Sequence, residues 1–357
     1  MSERDDTSGQ TPAEAVARPK IPGLATGGLL AISIISLVLV LVWDQLAGRL
    51  PASCDELLSM ALPGGKCAAA MGKLMTHAWA LALLPLIMLI ERWQPADPTQ
   101  PLFSPGLFVD ALWFFSFPLL GVWLPNAFQQ LLAWIGGETV ANARLEALTS
   151  LPLALQFVIV ILAADFLAWL SHYIRHKIPM FWEFHKIHHS QTELNFFTAK
   201  RLHPFDLLAN SLIRFLPWTL LGLEVALPGY LVWTTFVRVY EAFVHSNIRH
   251  NLGPLRYVLV TPQSHRIHHS IEPQHVDRNF GDFFSIWDFM FGTQVRVYDI
   301  YPKLGVHDTA CPQGRATTWT GSLRMFFSEL AYPLRALRIL PQPKRSIGND
   351  RVDDIAT

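Results

Sequence analysis

The sequence predicts an all-α protein, a polytopic bundle of membrane helices holding a histidine-rich centre for two metal ions. Three observations predict it. The 357-residue chain is 51% hydrophobic and only 16% charged, against about 25% charged in a soluble domain. Several apolar stretches are long enough for membrane helices. Twelve of the 14 histidines fall between His172 and His275, most of them in tight clusters.

The first twenty residues are polar, mixed in charge and carry Pro12 and Pro19, which reads as a disordered tail over 1–20. The uncharged stretch Leu24 to Val42 is too long for a signal-peptide core and reads as a retained first span. A second apolar stretch runs from about Leu74 to Ile90 and ends at Glu91-Arg92-Trp93, an interface anchor. The third, about Leu107 to Ile135, carries Asp110, Pro118 and Pro125 and is expected to kink. The fourth runs from Leu151 to Leu170. A longer region, roughly Leu207 to Val244, reads as a helical hairpin turning near Leu223–Gly229 that dips into the bilayer and returns. These stretches divide the chain into the tail, N-terminal membrane helices over 21–150, a histidine-bearing domain over 151–297, and a polar C-terminal tail over 298–357.

Parity places the site. With the N-terminus in the cytoplasm, four spans return the chain to that side at Ser171, and the hairpin brings His245 back to it. Arg175, Lys177, Lys186, Lys200 and Arg201 fit the positive-inside bias. All histidine clusters are therefore expected on the cytoplasmic side. Cys54 and Cys67 would share an outer loop, either bonded in an oxidising compartment or free. The C-terminal stretch Leu323–Leu340 is amphipathic. It suits either the membrane surface or packing on the histidine domain.

Composition also excludes. Net charge is zero and no basic stripe is present, so nucleic acid is not an expected partner. Three cysteines, Cys54, Cys67 and Cys311, make no CxxC site. Metal ligands are therefore expected to be histidines, with carboxylates as the other candidates.

The clusters read His172-x3-His176, His185-x2-His188-His189 and His265-x2-His268-His269. Residues i, i+3 and i+4 share a helical face, so each HxxHH is expected to aim three nitrogens at one spot and HxxxH two. Eight imidazoles exceed the four ligands of a tetrahedral zinc and suit two ions. His245 ends the hairpin, twenty residues before His265, and reads as a further ligand. His203 is either a ligand or a hydrogen-bonding loop residue. His250 is off the face of His245, either a ligand or a surface residue. Asp165, inside an apolar segment and seven residues before His172, reads as an acceptor that orients a ligating imidazole. The alternative is an interface carboxylate with its own hydrogen bonds.

Taken together, the order HxxxH, HxxHH, a membrane-hairpin spacer and HxxHH resembles the membrane fatty acid hydroxylase/sterol desaturase superfamily. The flanks Arg201-Leu202-His203-Pro204, Leu259-Val260-Thr261-Pro262, Arg266-Ile267-His268-His269-Ser270, Asn279-Phe280-Gly281, Trp287-Asp288 and Phe291-Gly292-Thr293 strengthen it. The resemblance covers about Leu151 to Val297. It implies a dinuclear centre under a cytoplasmic helical cap. It also implies two iron ions, replaced by zinc in some purified material, and O2 as co-substrate. By motif match the ligands are His172, His176, His185, His188, His189, His265, His268 and His269, joined by His245, with no catalytic residue beyond the ligands. The implied activity is hydroxylation or desaturation of a membrane lipid of sterol or fatty acyl type. Alternatives are cleavage of an alkylglycerol ether or metal-containing lipid binding without catalysis. The sequence shows no fused cytochrome b5-like domain or ferredoxin motif, so a separate donor of reductase, ferredoxin or cytochrome type is expected. A hydrolase would want a base within the motif, as in HExxH, and none is present.

Overall fold

A computed structural model describes residues 34, 35, 38, 81–116, 146–219 and 223–341. The N-terminal tail expected over 1–20, most of the expected first span, Cys54, Cys67 and the second half of the third apolar stretch lie outside these residues. Among the described residues the fold is helical and has no strands, only isolated bridges such as Pro95 to Ile248. Helix α1 covers 81–93, α2 Pro105–Ser116, α3 Leu153–Lys177 and α4 Pro179–His189. They are followed by α5 Pro204–Thr219, α6 Leu223–Val244, α7 Pro262–His268, α8 Ile286–Phe291 and α9 Trp319–Ala336.

Helix α3 is the one helix among the described residues that is long and apolar enough to cross a membrane. Its 25 residues reach about 37 Å at 1.5 Å per residue, against about 30 Å of hydrocarbon. Leu153, Leu155, Val158 and Ile159 in its first turns are bare, whereas Ala164, Asp165, Ala168, Trp169 and His172 nearer its end are buried. The helix stops at Ile178 because Pro179 bars the residue before it from helical geometry. Ile178 is extended, at φ −97° and ψ 116°. Pro179 then starts α4 at its first position, where proline loses no hydrogen bond. A single residue therefore folds α4 back on α3 and sets His172 and His176 against His185 and His189.

Helix α6 already begins at Leu223, so Pro228 and Gly229, where the sequence suggests a turn, lie within it.

Two contacts hold this core from outside. Leu84, Ile87 and Met88 of α1 pack with Phe114 of α2, Phe196 and Phe197 of a short 3-10 turn, and Ala242 of α6. Trp113 of α2 and Ile187 of α4 pack with Met325, Phe326 and Leu330 of α9. The amphipathic C-terminal stretch thus lies on the histidine-bearing helices, although Trp319 and Phe327 on its other side stay exposed.

Arg201 closes the second contact. Its guanidinium, fully buried, donates to Ile187 O at 2.8 Å, Asp110 Oδ1 at 2.9 Å, Ser190 Oγ at 3.1 Å and the Glu329 carboxylate. Glu329 also accepts from Trp113 Nε1 at 2.7 Å. A Cβ on Gly314 would stand 2.6 Å from an Arg201 nitrogen, and its φ of +68° also demands glycine. Removing one partner of a buried ion pair strands the other charge. Arg201→Leu is expected to cost about 3–5 kcal/mol. Thermal unfolding in detergent should show the midpoint falling by several degrees, and an unchanged midpoint would contradict the assignment.

Candidate metal centre

Helix α3 carries His172 and His176, α4 carries His185, His188 and His189, α6 delivers His245 just past its end, and α7 carries His265 and His268 with His269 at its cap. The start of α7 is written locally. Pro262 opens it, and Thr261 and Ser264 form a reciprocal capping box.

The nine imidazoles assemble into two groups, within each of which the ligand atoms lie within 4.8 Å of one another. One holds His172, His176, His185, His189 and His268, the other His188, His245, His265 and His269. The sequence expectation that each HxxHH aims three nitrogens at one point is corrected here. On a helix, positions i+3 and i+4 diverge by about 100°. His185 and His189 therefore face one group while His188 faces the other, and His265 and His269 separate from His268 in the same way. Each motif serves both groups.

The imidazole nitrogens approach closely. Nε2 to Nε2 distances are 3.1 Å for His172 and His185, 3.1 Å for His176 and His189, 3.2 Å for His188 and His245, and 2.8 Å for His245 and His265. Their other nitrogens decide what this means. Nδ1 of His172, His268 and His245 lies at 2.9, 2.8 and 2.6 Å from the carbonyls of Phe280, Arg278 and Glu241. A carbonyl only accepts, so each Nδ1 holds the proton and donates it. His185 Nδ1 donates to Asp206 at 3.0 Å and His176 Nδ1 lies 3.3 Å from Asp277 Oδ1. A neutral imidazole protonated at Nδ1 has a bare lone pair at Nε2. His172 and His185 therefore turn two lone pairs on one another, which no hydrogen bond relieves and a cation does. His268 Nε2 is likewise buried with no hydrogen-bond partner. Two nitrogens bound at about 2.1 Å and at right angles on one ion would stand about 3.0 Å apart. The observed spacings, 2.8–3.2 Å, fit that arrangement. The residues fit a pair of transition-metal ions.

Electrostatics agrees. Burial, then Arg175, pushes the His185 imidazole down to about 3 against the pull of Asp206. Burial pushes His245 down to about 4. Burial and then the neighbouring imidazoles hold His188, His189, His265, His268 and His269 well below the usual range. At neutral pH these rings are neutral, the form that binds metal.

Surrounding residues set the rings. Arg175 Nη1 pairs with Asp206 at 3.0 Å and fixes the carboxylate that orients His185. Asp288 accepts from Phe280 N at 2.9 Å, Gly281 N at 2.7 Å and Trp169 Nε1 at 2.9 Å, and so fixes the carbonyl that holds His172. A Cβ on Gly281 would lie 2.7 Å from Phe284 O, which explains the glycine of Asn279-Phe280-Gly281. Asp165 accepts from Trp287 Nε1 at 2.8 Å and Phe284 N at 3.2 Å, and so pins this same loop. His203 and His250 belong to neither group. His203 Nε2 donates to Leu330 O at 3.0 Å, and His250 Nδ1 accepts from Leu252 N at 2.9 Å. The orienting roles of Asp206, Asp277 and Asp288 escaped the sequence reading. A signal was present for Asp206, a carboxylate seventeen residues after HxxHH at the head of the apolar stretch that starts at Leu207.

Residues 157–293 match the family described as fatty acid hydroxylase. This segment contains all nine histidines of the two groups, and through it the chain is similar to the fatty acid hydroxylase/sterol desaturase superfamily. The chain is similar to an alkylglycerol monooxygenase of Caenorhabditis elegans, 34% identical over 36% of this chain and 25% of the relative. It is 33% identical to an ornithine lipid hydroxylase of Rhizobium tropici over 40% of this chain and 42% of the relative. It is 29% identical to a Delta(7)-sterol 5(6)-desaturase of Eremothecium gossypii over 40% of this chain and 38% of the relative. The chain thus spans between 25% and 42% of the length of these curated relatives. No solved structure matches.

Two outcomes are expected of the site. An unfolded histidine takes its proton near pH 6.5, whereas these folded imidazoles, such as His185 at about 3, take theirs only in stronger acid. Protons then favour the unfolded chain. Stability of the metal-free protein should be flat above pH 6.5 and fall as pH drops below it. Melting curves from pH 8 to pH 4 check this, and a midpoint that rises with acid would refute it. Asp277→Ala removes the acceptor of His176 and should weaken metal binding about 10–100-fold in the five-histidine group alone, read by titration with a competing chelator.

Proposed function

We propose that the chain is an integral membrane oxidoreductase that holds two iron ions and uses O2 to hydroxylate or desaturate a lipid of sterol or fatty acyl type. The observation that carries this is the pair of buried all-imidazole groups whose ring nitrogens converge. The ligands are His172, His176, His185, His189 and His268 for one ion and His188, His245, His265 and His269 for the other. Zinc would bind the same nitrogens in purified material. Iron held there and reduced would supply the activation of O2 against an unactivated C–H bond. The chain's own residues do the rest. Asp206, Asp277 and the Phe280, Arg278 and Glu241 carbonyls hold the proton at Nδ1 and keep Nε2 free for the ion. The eight ligands other than His176 are at most 5% exposed, which excludes bulk water from the reacting centre. Neutral nitrogens bind the ions without placing carboxylates beside a lipid chain.

The reading extends to topology and partners. Four spans and a hairpin would form the polytopic bundle, with the catalytic domain over 151–297 as a helical cap on the cytoplasmic side. The bare first turns of α3 face lipid, and a substrate chain would enter beside them from the bilayer. Electrons come from a separate donor. The similarity to an alkylglycerol monooxygenase favours a second reading, in which the oxidised carbon adjoins an ether oxygen and the ether is cleaved.

Metal content of the detergent-purified chain tests the proposal. Two irons or zincs per chain are expected. His188→Ala and His268→Ala should each lose one site, because they belong to different groups. Lipid product should form only with O2 and a reductant and, for a hydroxylase, carry the label of ¹⁸O2. Protein that takes up no metal even on reconstitution would sink the reading.

A further inference from the structure

Outside both histidine groups lies a cavity of about 470 Å³, lined among others by Ala96, Asp97, Thr192, Arg266, Tyr301 and Lys303. It sits beside α7, since Arg266 follows the ligand His265. Its size falls within the roughly 300–1,000 Å³ of small-molecule sites. The lining is basic. Arg266 and Lys303 share the lining with one carboxylate, Asp97, whose Oδ1 already accepts from Thr99 N at 2.9 Å and Thr99 Oγ1 at 2.6 Å. Arg249 adds a third cation at the rim. It stacks on the Tyr301 ring at 4.5 Å, and its Nη2 lies 3.4 Å from Ala96 O.

Arg266 is the unusual member. Only 5% of it is exposed, and Nε donates to Pro302 O at 3.1 Å. Its Nη1 is buried with no hydrogen-bond partner, and so is Oγ1 of Thr192 across the same cavity. A guanidinium taken out of water needs a counter-charge and acceptors. The fold supplies one carbonyl and, as counter-charge, the Asp97 carboxylate, which is already engaged by Thr99. Neither the metal ligands nor the residues that orient them make use of this arginine.

We propose that this cavity binds a phosphate ester, with Arg266 as its main contact, Lys303 and Arg249 balancing its second charge, and Thr192 donating a hydrogen bond. Two or three cations and a hydroxyl around one point suit a dianion with several acceptor oxygens better than a carboxylate. A volume of about 470 Å³ leaves room for the esterified group as well as the phosphate. The phosphate comes either from a lipid headgroup or from a soluble ester. The site needs no metal and no turnover, so its fate is separate from that of the proposed activity.

The experiment uses the full metal-loaded chain in detergent. Calorimetric titration with glycerol 3-phosphate reads the soluble source. Native mass spectrometry with phosphatidic acid, against diacylglycerol as the uncharged control, reads the lipid source. Retention of phosphatidic acid without glycerol 3-phosphate binding assigns a headgroup, and glycerol 3-phosphate binding alone assigns a soluble ester. In either case Arg266→Gln should weaken binding about tenfold or more, the loss of one charge-assisted contact. Arg266→Lys should recover part of it. Lys303 is exposed, so Lys303→Gln leaves the fold and metal content unchanged and should weaken binding about threefold even if Arg266→Gln does not fold. Wild-type protein that binds neither probe, or binding that Lys303→Gln and Arg266→Gln leave unchanged, overturns the proposal.

Discussion

The structure depends on one awkward arrangement, nine buried neutral imidazoles packed together, five of which hold their proton at Nδ1 and so turn a bare Nε2 lone pair inward. The lone pairs of His172 and His185, 3.1 Å apart, repel, and burial removes the water that would screen them. The groups are stable together only with cations between them or with the rings forced into place. The fold does the forcing. Carbonyls of Phe280, Arg278 and Glu241 and carboxylates of Asp206 and Asp277 each accept a hydrogen bond from an Nδ1–H, which settles the tautomer of five of the rings before any ion arrives. Metal binding then relieves a strain that folding creates, so metal and fold stabilise one another.

The holders are themselves held. The Phe280 carbonyl is placed by Asp288, and Asp288 by Trp169 of α3 and the backbone of Phe280 and Gly281. Asp206 is placed by Arg175. Arg201 ties the end of α4 to α2 and α9 through buried hydrogen bonds. A charged network this deep is a poor way to gain stability, because desolvation opposes it. It is a good way to fix direction, since each bond has one geometry. The C-terminal helix, remote in sequence from the histidines, thereby becomes part of the frame that keeps α4 in register.

The same frame explains how a polar centre can adjoin a membrane. Helix α3 is bare and apolar at its start and buried at its end, so one element passes from the exposed apolar part to the ligand-bearing part. Ile178 and Pro179 then reverse the chain without a loop. The reacting centre is thus close to the apolar surface in chain terms while closed to bulk water, which is what the proposed oxidation of a lipid chain requires. The basic cavity beside Arg266 lies behind α7, at the side of the frame that the histidines do not use.

Much of this was readable in the sequence, for a physical reason. Metal ligands must be chemically distinctive, and helical spacing of 3 or 4 places them together, so His172, His176 and both HxxHH motifs announce themselves locally. The turn at Ile178-Pro179 and the cap at Thr261-Pro262 are equally local. The chain alone also marks the apolar length of α3 and the family pattern. The partition of the ligands was decided only in three dimensions. His188 and His268 leave their own motifs because i+3 and i+4 diverge around a helix, and which group each joins depends on how α4 and α7 face. His203 resembles a ligand by its neighbours, yet packing sends its Nε2 to Leu330 O. Asp206, Asp277 and Asp288 acquire their roles across gaps of 8 to 119 residues. No periodicity records such contacts, because they arise from the meeting of separate elements and not from the spacing within any one of them.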